Sequence, residues 1–185
     1  MNQSNSLFQL AEEIRRCTSC PRWKERLLPV PGEGPTNSKI IIIGESPGKE
    51  ENKIGTPFLG PSGQFLDQLL ERANLKRNQI FVTNCLKCYA KTIKTKEIET
   101  CTKLWLKLQL ELIQPKLIII LGKVALKALF PKNNYSLKEM HGKIIENKYF
   151  VTYHPSAAKR FPEIKKLTIH DFKKLKKIKD KKQFN

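Results

Sequence analysis

Five cysteines are the residues of this sequence whose spacing most clearly indicates chemistry. Cys17 and Cys20 form a pair with two residues between them, a spacing that metal ligands use, and Cys85, Cys88 and Cys101 lie far downstream. In an intracellular chain such a set favours metal binding or catalysis over a disulfide framework. Spacing alone leaves zinc and an iron–sulfur cluster open, since both accept four cysteine ligands.

A second set of candidate residues follows the predicted strands. Ile40–Ile43 is an unbroken β-branched run, which predicts a strand buried on both faces, and it ends in Gly44–Gly48, a polar and glycine-rich loop. Open α/β sheets bind their ligands just outside the carboxyl ends of such strands. Asn84, Gly122 and His154–Ser156 stand at the ends of three further predicted strands. These four strand ends are therefore the predicted ligand site.

The elements that must position these residues are strands alternating with helices. Apolar runs predict strands over 39–43, 80–83, 117–121 and 149–153. Helical spacing of apolar residues predicts helices over 6–16, 62–73, 97–113 and 123–129, with 27–38 and 89–96 as loops. Candidate N-caps are Ser62 for the second helix and Asn5 or Ser6 for the first. The alternation predicts an α/β fold in which a four-stranded parallel sheet carries helices on both faces and all four strand ends lie on one rim.

Length and charge predict one basic domain. The 185 residues suit a single domain over 1–185, with a core over about 6–172, and 35 Lys and Arg against 17 Asp and Glu give a net charge of +18. This excess of positive charge favours a polyanionic partner, and nucleic acid is favoured over a membrane surface. Residues 165–185 form a basic tail whose apolar spacing predicts an amphipathic helix, although a merely solvated helix face explains the same pattern.

The sequence carries no sign of a membrane or a secretion route. No stretch approaches the roughly 18 apolar residues of a membrane span. Residues 1–5 lack the basic start and apolar core of a secretion signal. We therefore expect a cytoplasmic protein.

Four sequence blocks together resemble the family 4 uracil-DNA glycosylases, the iron–sulfur members of the uracil-DNA glycosylase superfamily. The blocks are Gly44–Gly48, Gly55–Gly63, Thr83–Cys88 and His154–Arg160. They occur in the family's order, and the similarity runs from about residue 10 to about residue 172. The resemblance implies an enzyme that flips uracil out of single- or double-stranded DNA and hydrolyses its N-glycosidic bond, leaving an abasic site. It also implies a monomer.

The resemblance assigns roles in base binding to three side chains. Phe58 is similar to the aromatic residue that stacks on the flipped base. Asn84 resembles the residue that reads uracil, because its amide can both accept from N3–H and donate to O4. His154 resembles the histidine that hydrogen-bonds uracil O2 and stabilises the departing anion. The loop residues added to the base-binding set are Gly44, Ser46 and Gly48.

The residue that handles the attacking water is an open assignment. Related families have an Asp in the first loop, whereas this chain has Ser46 at the place where that carboxylate is expected. Glu45 is the predicted catalytic carboxylate, with Glu50, Glu51 and the backbone groups of residues 44–48 as alternatives for holding the water. Asn52 stands where the family commonly has Asp, which argues against a catalytic role at that position.

The resemblance also implies contacts with the DNA backbone and a cofactor. Hydroxyl groups and cations in the matching blocks and in the basic loop suit phosphate binding, namely Ser62, Ser156, Arg160, Lys91 and Lys94. Cys17, Cys20, Cys88 and Cys101 match the four ligands of a structural [4Fe–4S] cluster, and Cys85 is left over. Twelve residues separate Cys88 from Cys101, fewer than is usual in the family.

Other readings of the sequence belong to different classes of protein. A related glycosylase for another deaminated base, such as hypoxanthine, shares the same motifs. A non-catalytic nucleic-acid-binding module with a four-cysteine zinc site explains the charge and the cysteines but gives Asn84, His154 and Phe58 no purpose. A nucleotide-binding α/β protein is opposed by the absence of a G-x-x-x-x-G-K-[ST] motif.

Overall fold

One five-stranded sheet organises the fold in a computed structural model that describes residues 3–89 and 91–182, with side chains over 6–89 and 91–178. Residue 90 of the predicted basic loop and 183–185 of the predicted tail lie outside the described residues. The strands are β1 (Ile40–Gly44), β2 (Ile80–Asn84), β3 (Leu117–Leu121), β4 (Lys143–Ile145) and β5 (Tyr149–Thr152). Their order across the sheet is β2-β1-β3-β5-β4.

The four strands that the sequence predicts form the parallel part of the sheet. β1 pairs in parallel with β2 on one side and with β3 on the other, and β5 continues beyond β3. All residues of β1, β2 and β3 are buried, as their β-branched runs predict. The chain moves to one side of β1 for β2 and to the other side for β3. The carboxyl end of β1 is therefore a topological switch point, where open α/β sheets bind ligands.

The predicted count of four strands is wrong by one, because β4 adds an antiparallel edge. Ile145 pairs with Tyr149 across a tight connection in which Glu146 and Asn147 have φ of 50° and 55°. Such left-handed residues suit the twist of a hairpin turn. A three-residue strand with an exposed first residue is too short to produce a clear periodic pattern.

Nine α-helices are described in these residue ranges. They are α1 (Gln3–Arg16), α2 (Lys49–Ile54), α3 (Pro61–Arg72), α4 (Thr95–Cys101), α5 (Lys107–Ile113), α6 (Gly122–Leu129), α7 (Leu137–Met140), α8 (Pro155–Arg160) and α9 (Pro162–Lys182). α1, α3, α6 and the basic helix α9 confirm predicted helices. The single helix predicted over 97–113 is instead α4, a π-helical turn over 102–106, and α5.

Both predicted sets of N-cap residues are wrong. α3 begins at Pro61 with Gly60 as its N-cap, because proline at the first helical position needs no hydrogen-bond acceptor for its nitrogen. Ser62 therefore lies in the first turn. α1 begins at Gln3, so Asn5 and Ser6 lie inside that helix.

Helices cover both faces of the sheet, which confirms the predicted α/β layering. On one face Ile41, Ile43 and Ile120 pack with Leu10 of α1 and Ile113 of α5. On the opposite face alternate strand residues pack with α3, α8 and α9; those residues include Ile42, Val82, Ile119 and Phe150. No helix within 3–89 and 91–182 is long and apolar enough to span a bilayer.

Candidate active site

A pocket of about 630 Å³ lies at the switch point of the sheet. It is lined by residues that follow β1, β2, β3 and β5, so the four predicted strand ends do converge on one rim. The predicted site residues that line it are Glu45, Ser46, Gly48, Phe58, Ser62, Asn84, His154 and Ser156. Residues separated by more than a hundred positions in the chain thus share one concave site, which is the usual form of a small-ligand pocket.

Phe58 forms one wall of the pocket in a tightly constrained conformation. Its φ of 56° lies in the left-handed region, which is rare for a bulky residue and marks a functional or strained position. Gly63 permits this turn, since a Cβ atom there would lie 1.8 Å from the Phe58 carbonyl oxygen. The centroid of the Phe58 ring lies 6.0 Å from that of His154, and the two planes are inclined by 31°.

Glu51 holds the Phe58 loop in place. The Leu59 and Gly60 backbone N–H groups each donate to its Oε1 at 2.9 Å, and the side chain is buried. A Cβ atom at Gly48 would lie 2.5 Å from the other carboxylate oxygen, so the first loop closely approaches the same group. Glu51, an alternative water-binding residue in the sequence, is therefore an anchor for the wall of the pocket.

Asn84 is the last residue of β2 and lines the crowded bottom of the pocket. Its exposed fraction is 1%, and its Oδ1 has no hydrogen-bond partner among the described residues. Gly44 makes room for it, because a Cβ atom there would lie 2.4 Å from Asn84 Oδ1 and 2.7 Å from Phe58 Cζ. A buried oxygen without a partner costs free energy unless a ligand supplies the missing donor.

His154 is held as a neutral imidazole with a defined tautomer. It is the N-cap of α8, and its Nδ1 accepts from the Ser156 backbone N–H at 3.2 Å, with Ser156 Oγ 2.8 Å from the same nitrogen. Burial lowers the pKa of His154 to about 4. Because Nδ1 is the acceptor, the proton of the neutral ring lies on Nε2, which is then a hydrogen-bond donor.

Glu45 is the carboxylate next to the end of β1 that lines the pocket. It is partly buried, and burial raises the pKa of its carboxyl group above the ordinary value. Ser46 also lines the pocket beside it. A carboxylate with a raised pKa at the edge of a pocket suits proton transfer or the orientation of water.

Three predicted phosphate-binding residues do not line the pocket. Arg160 is exposed at the far end of α8 from His154. Lys91 and Lys94 are exposed on the segment that connects Tyr89, which lines the pocket, with α4. They therefore lie where they can extend a basic surface beyond this pocket.

Several residues of this region escape prediction from the sequence. Tyr89, Lys123 and Tyr153 line the pocket. Lys123 follows Gly122 and Tyr153 precedes His154, positions next to strand ends that could have indicated them. Asn52 has a structural role instead: it is buried, and its Oδ1 accepts from the Leu27 backbone N–H at 3.0 Å. No pattern in the sequence marks that contact.

The four cysteines predicted as ligands line a second, smaller cavity, which lies on the α1 and α4 side of the fold. Cys17, Cys20, Cys88 and Cys101 contribute to it, whereas the fifth, Cys85, is buried in the core. All five are free thiols. Within the described part of the chain no group of three or more His, Cys, Asp or Glu side chains is arranged to hold a metal ion.

The donor chemistry of this cavity nevertheless suits an iron–sulfur group. Three of its sulfurs accept N–H hydrogen bonds, from Ser19 to Cys17 at 3.5 Å, from Arg26 to Cys88 at 3.2 Å and from the Lys87 backbone to Cys101 at 3.3 Å. Such bonds stabilise thiolate ligands and tune clusters. Burial raises the pKa of Cys101 to about 12, so a bound cation is what would favour its thiolate.

A buried arginine joins the two halves of the cysteine cavity. Arg22 lies in the short helical turn after Cys20 and donates through Nε to Glu97 of α4 at 3.0 Å. The same guanidinium also donates to the Thr92 carbonyl. These bonds hold the segment with Cys17 and Cys20 against the helix that carries Cys101.

Fold and pocket together define one class of protein. The family model described as the uracil DNA glycosylase superfamily matches residues 31–177, which include β1 to β5 and the whole pocket lining. Curated relatives narrow this class. The type-4 uracil-DNA glycosylase of Sulfurisphaera tokodaii is 37% identical over 188 residues, covering 94% of this chain and 85% of that protein.

Two further relatives carry the same description. The type-4 uracil-DNA glycosylase of Saccharolobus solfataricus is 37% identical, covering 93% of this chain and 86% of the relative. That of Pyrobaculum aerophilum is 34% identical, covering 86% and 87%. The chain belongs to the type-4 uracil-DNA glycosylase family, which confirms the resemblance drawn from the motifs.

Proposed function

We propose that this protein removes uracil from DNA by hydrolysing the N-glycosidic bond, which releases uracil and leaves an abasic site. The observation that carries the proposal is the buried Asn84 Oδ1, which has no hydrogen-bond partner within the described residues and shares its pocket with Phe58 and His154. A flipped uracil supplies the N–H donor that this oxygen lacks.

Base recognition follows from the amide of Asn84. Its oxygen accepts from uracil N3–H and its NH₂ group donates to O4, whereas cytosine presents an acceptor at N3 and a donor at N4 and mispairs with both. Phe58 packs against the face of the base. Gly44 is necessary because any side chain there displaces both groups. Glu45 and the loop that contains Ser46 and Gly48 border the remaining edge of the base.

His154 stabilises the departing base. Uracil leaves as an anion, and a donor directed at O2 lowers the energy of the transition state more than that of the bound substrate. The Nε2–H group is that donor because Nδ1 is occupied by the Ser156 backbone N–H. A neutral imidazole can donate this hydrogen bond. With a pKa of about 4, His154 is neutral at neutral pH.

Glu45 orients the water that attacks the sugar. No carboxylate stands at position 46, and Glu51 is engaged by two backbone N–H groups. Glu50 also lines the pocket but is exposed and pairs with Lys53 at 3.1 Å, which leaves Glu45 as the available strand-end carboxylate. Its negative charge also stabilises the positive character that develops on the sugar ring.

The DNA backbone binds around the pocket. Ser62 lies in the first turn of α3, where backbone N–H groups and the helix dipole favour a phosphate, and Ser156 lies at the start of α8. Arg160, Lys91 and Lys94 add positive charge farther out. Because the base pocket is complete within one chain, a monomer acting on single- or double-stranded chromosomal DNA, in the cytoplasm, is the proposed working form.

Cys17, Cys20, Cys88 and Cys101 would hold a [4Fe–4S] cluster. The chemistry that a bound cluster would supply is a structural cross-link, because its ligands would come from the segment after α1, the turn after β2 and α4. The residues of the chain keep the supporting roles described above, namely Arg22 joining the segments and Arg26 donating to a ligand sulfur.

The proposal is tested by incubating the purified protein with labelled single- and double-stranded DNA that carries one uracil. We expect free uracil and an alkali-labile abasic site, and Asn84→Ala should slow excision by at least about 100-fold, the cost of losing a directed contact in the transition state. Oligonucleotides with hypoxanthine in place of uracil serve as the control for substrate class. Absence of uracil release beside an active reference enzyme would contradict the proposal.

A further inference from the structure

Lys87 is a buried lysine between the cysteine cavity and the base pocket. Its exposed fraction is 1%, and its Nζ donates to Thr83 Oγ1 at 2.6 Å, to the Asn84 carbonyl oxygen at 2.8 Å and to Gln109 Oε1 at 2.6 Å. Lysines are almost never fully buried without a partner. The three acceptors match the three N–H groups of an ammonium ion, so the charged form is the one this cage fits.

The cage is anchored on both sides. Gln109 of α5 uses its NH₂ group to donate to the Pro31 carbonyl oxygen at 2.7 Å, which fixes the orientation of its Oε1 toward Lys87. Thr83 Oγ1 lies 3.0 Å from the same Pro31 oxygen. The Lys87 ammonium thus joins the end of β2 to the helix that follows Cys101, and one of its bonds holds the backbone of Asn84 itself.

Lys87 also contacts the cysteine cavity. None of the ion pairs found among the described residues includes Lys87. The Lys87 backbone N–H donates to Cys101 Sγ at 3.3 Å, and the next residue in the chain is Cys88. A buried charge is strongly destabilising unless an opposite charge offsets its loss of hydration. The Lys87 ammonium therefore depends on the three acceptors of its cage, while its backbone is held beside two predicted ligands, Cys88 and Cys101.

We propose that Lys87 is a positioning residue that couples the cysteine site to the base pocket. A loaded cysteine site fixes Cys88 and Cys101, between which the Lys87 backbone is held, and the Lys87 side chain in turn fixes the backbone of Asn84, whose side chain reads the base. This inference rests on the proposed function, since it assigns Asn84 to uracil. Coupling of this kind is reciprocal: if the loaded site favours base binding, a bound base must favour the loaded site by the same factor.

The test measures that reciprocity in the intact protein. Loss of iron to a chelator is followed by visible absorbance, with and without saturating single-stranded DNA that carries 2′-fluorodeoxyuridine, a uridine whose sugar resists cleavage. The variants are Lys87→Met, which keeps the length of the side chain and removes every donor, and Lys127→Met as matched control. Lys127 is an exposed lysine that also donates to a backbone carbonyl, that of Pro131, at 2.9 Å.

In the wild-type protein and in Lys127→Met, bound DNA should slow iron loss by about 5-fold or more, the lower end of typical coupling between sites. In Lys87→Met this protection should disappear, and single-turnover excision should slow by about 10-fold or more, the loss expected for a hydrogen bond from a charged donor. A role confined to folding would speed iron loss equally with and without DNA. Full protection in Lys87→Met would therefore overturn the inference.

A second variant keeps the test decisive if Lys87→Met does not fold. Gln109→Met removes one acceptor of the cage and should give partial loss of the protection by DNA, and unchanged protection would overturn the inference. Failure of the proposed function is recognised separately. It appears as absence of uracil release, or of iron, in the wild-type protein itself, whereas failure of the coupling appears as wild-type iron loss that bound DNA does not slow, or as full protection in Lys87→Met.

Discussion

Gly44→Ala is the smallest change that should close the base pocket. The added methyl carbon would lie 2.4 Å from Asn84 Oδ1 and 2.7 Å from Phe58 Cζ, well inside ordinary contact. Neither group can yield freely, because Phe58 is held in a left-handed conformation between Gly44 and Gly63, and Asn84 is buried at the end of a paired strand. Both proposed base contacts must therefore move together.

The size of the effect follows from those distances. Restoring contacts of about 3.4 Å requires Asn84 Oδ1 to move by about 1 Å, and displacements of that size cost on the order of 100-fold in rate. Overpacking of a tight interior typically destabilises a fold by about 1–3 kcal/mol. For a chain of this length that corresponds to roughly 2–4 °C in melting temperature per kcal/mol, so the variant should remain folded at 25 °C.

Single-turnover excision on a uracil-bearing single strand measures the effect, with thermal unfolding in parallel. Gly60→Ala is the matched control, because a Cβ atom there meets Glu51 only at 3.5 Å and 3.9 Å and the residue has ordinary negative φ. We expect it to excise within about 3-fold of wild type, since ordinary van der Waals contact requires no displacement. Excision by a folded Gly44→Ala protein at the wild-type rate would refute the placement of the base between Asn84 and Phe58.

Three further predictions concern the proton, the cysteines and the basic helix. The rate of excision should show no step near pH 6.5 from His154, because burial lowers the pKa of this group to about 4 and the ring stays neutral above that pH. His154→Gln should excise uracil more slowly at every pH from 5 to 8. A step in the wild-type rate near pH 6.5 that vanishes in this variant would instead show a charged histidine. Cys101→Ala should lose bound iron, measured per polypeptide, while Cys85→Ala should keep it because Cys85 lies outside the cavity; equal iron content would contradict the ligand set. Replacing Lys173 and Lys177, both exposed on α9, by Gln should reduce the slope of log binding constant against log salt by about 0.9 for each lysine that contacts duplex phosphate, and an unchanged slope would place the DNA elsewhere.

The parallel sheet could be predicted because its strands are long enough and buried enough to dominate the local pattern. Ile40–Ile43 and Leu117–Leu121 are continuous apolar runs. Such a run predicts a buried parallel strand without knowledge of the strands that pair with it. β4 could not be found in the same way, since its three residues gain stability only from pairing with β5. The predicted helix over 97–113 is interrupted by a π turn directly after Cys101. The spacing of apolar residues cannot predict such an interruption.

The site residues also differ in whether a local sequence pattern or long-range contacts determine their roles. The strand-end residues Asn84 and His154 were predictable because the topology of parallel strands brings their carboxyl ends together. The roles of Glu51 and Lys87 cannot be predicted in this way, because each depends on contacts with groups farther along the chain. Glu51 binds the Leu59 and Gly60 amides, and the Lys87 ammonium depends on Gln109, 22 positions away. No local pattern carries that information.

The most direct test of the central claim is a crystal structure of the protein bound to single-stranded DNA that carries 2′-fluorodeoxyuridine. The account predicts that uracil lies in the pocket at the end of β1 with its ring against Phe58. Its N3–H should donate to Asn84 Oδ1, the oxygen that has no partner among the described residues, and its O2 should accept from His154 Nε2. A uracil bound at another place, or one in this pocket that leaves Asn84 Oδ1 unpaired, would contradict the account.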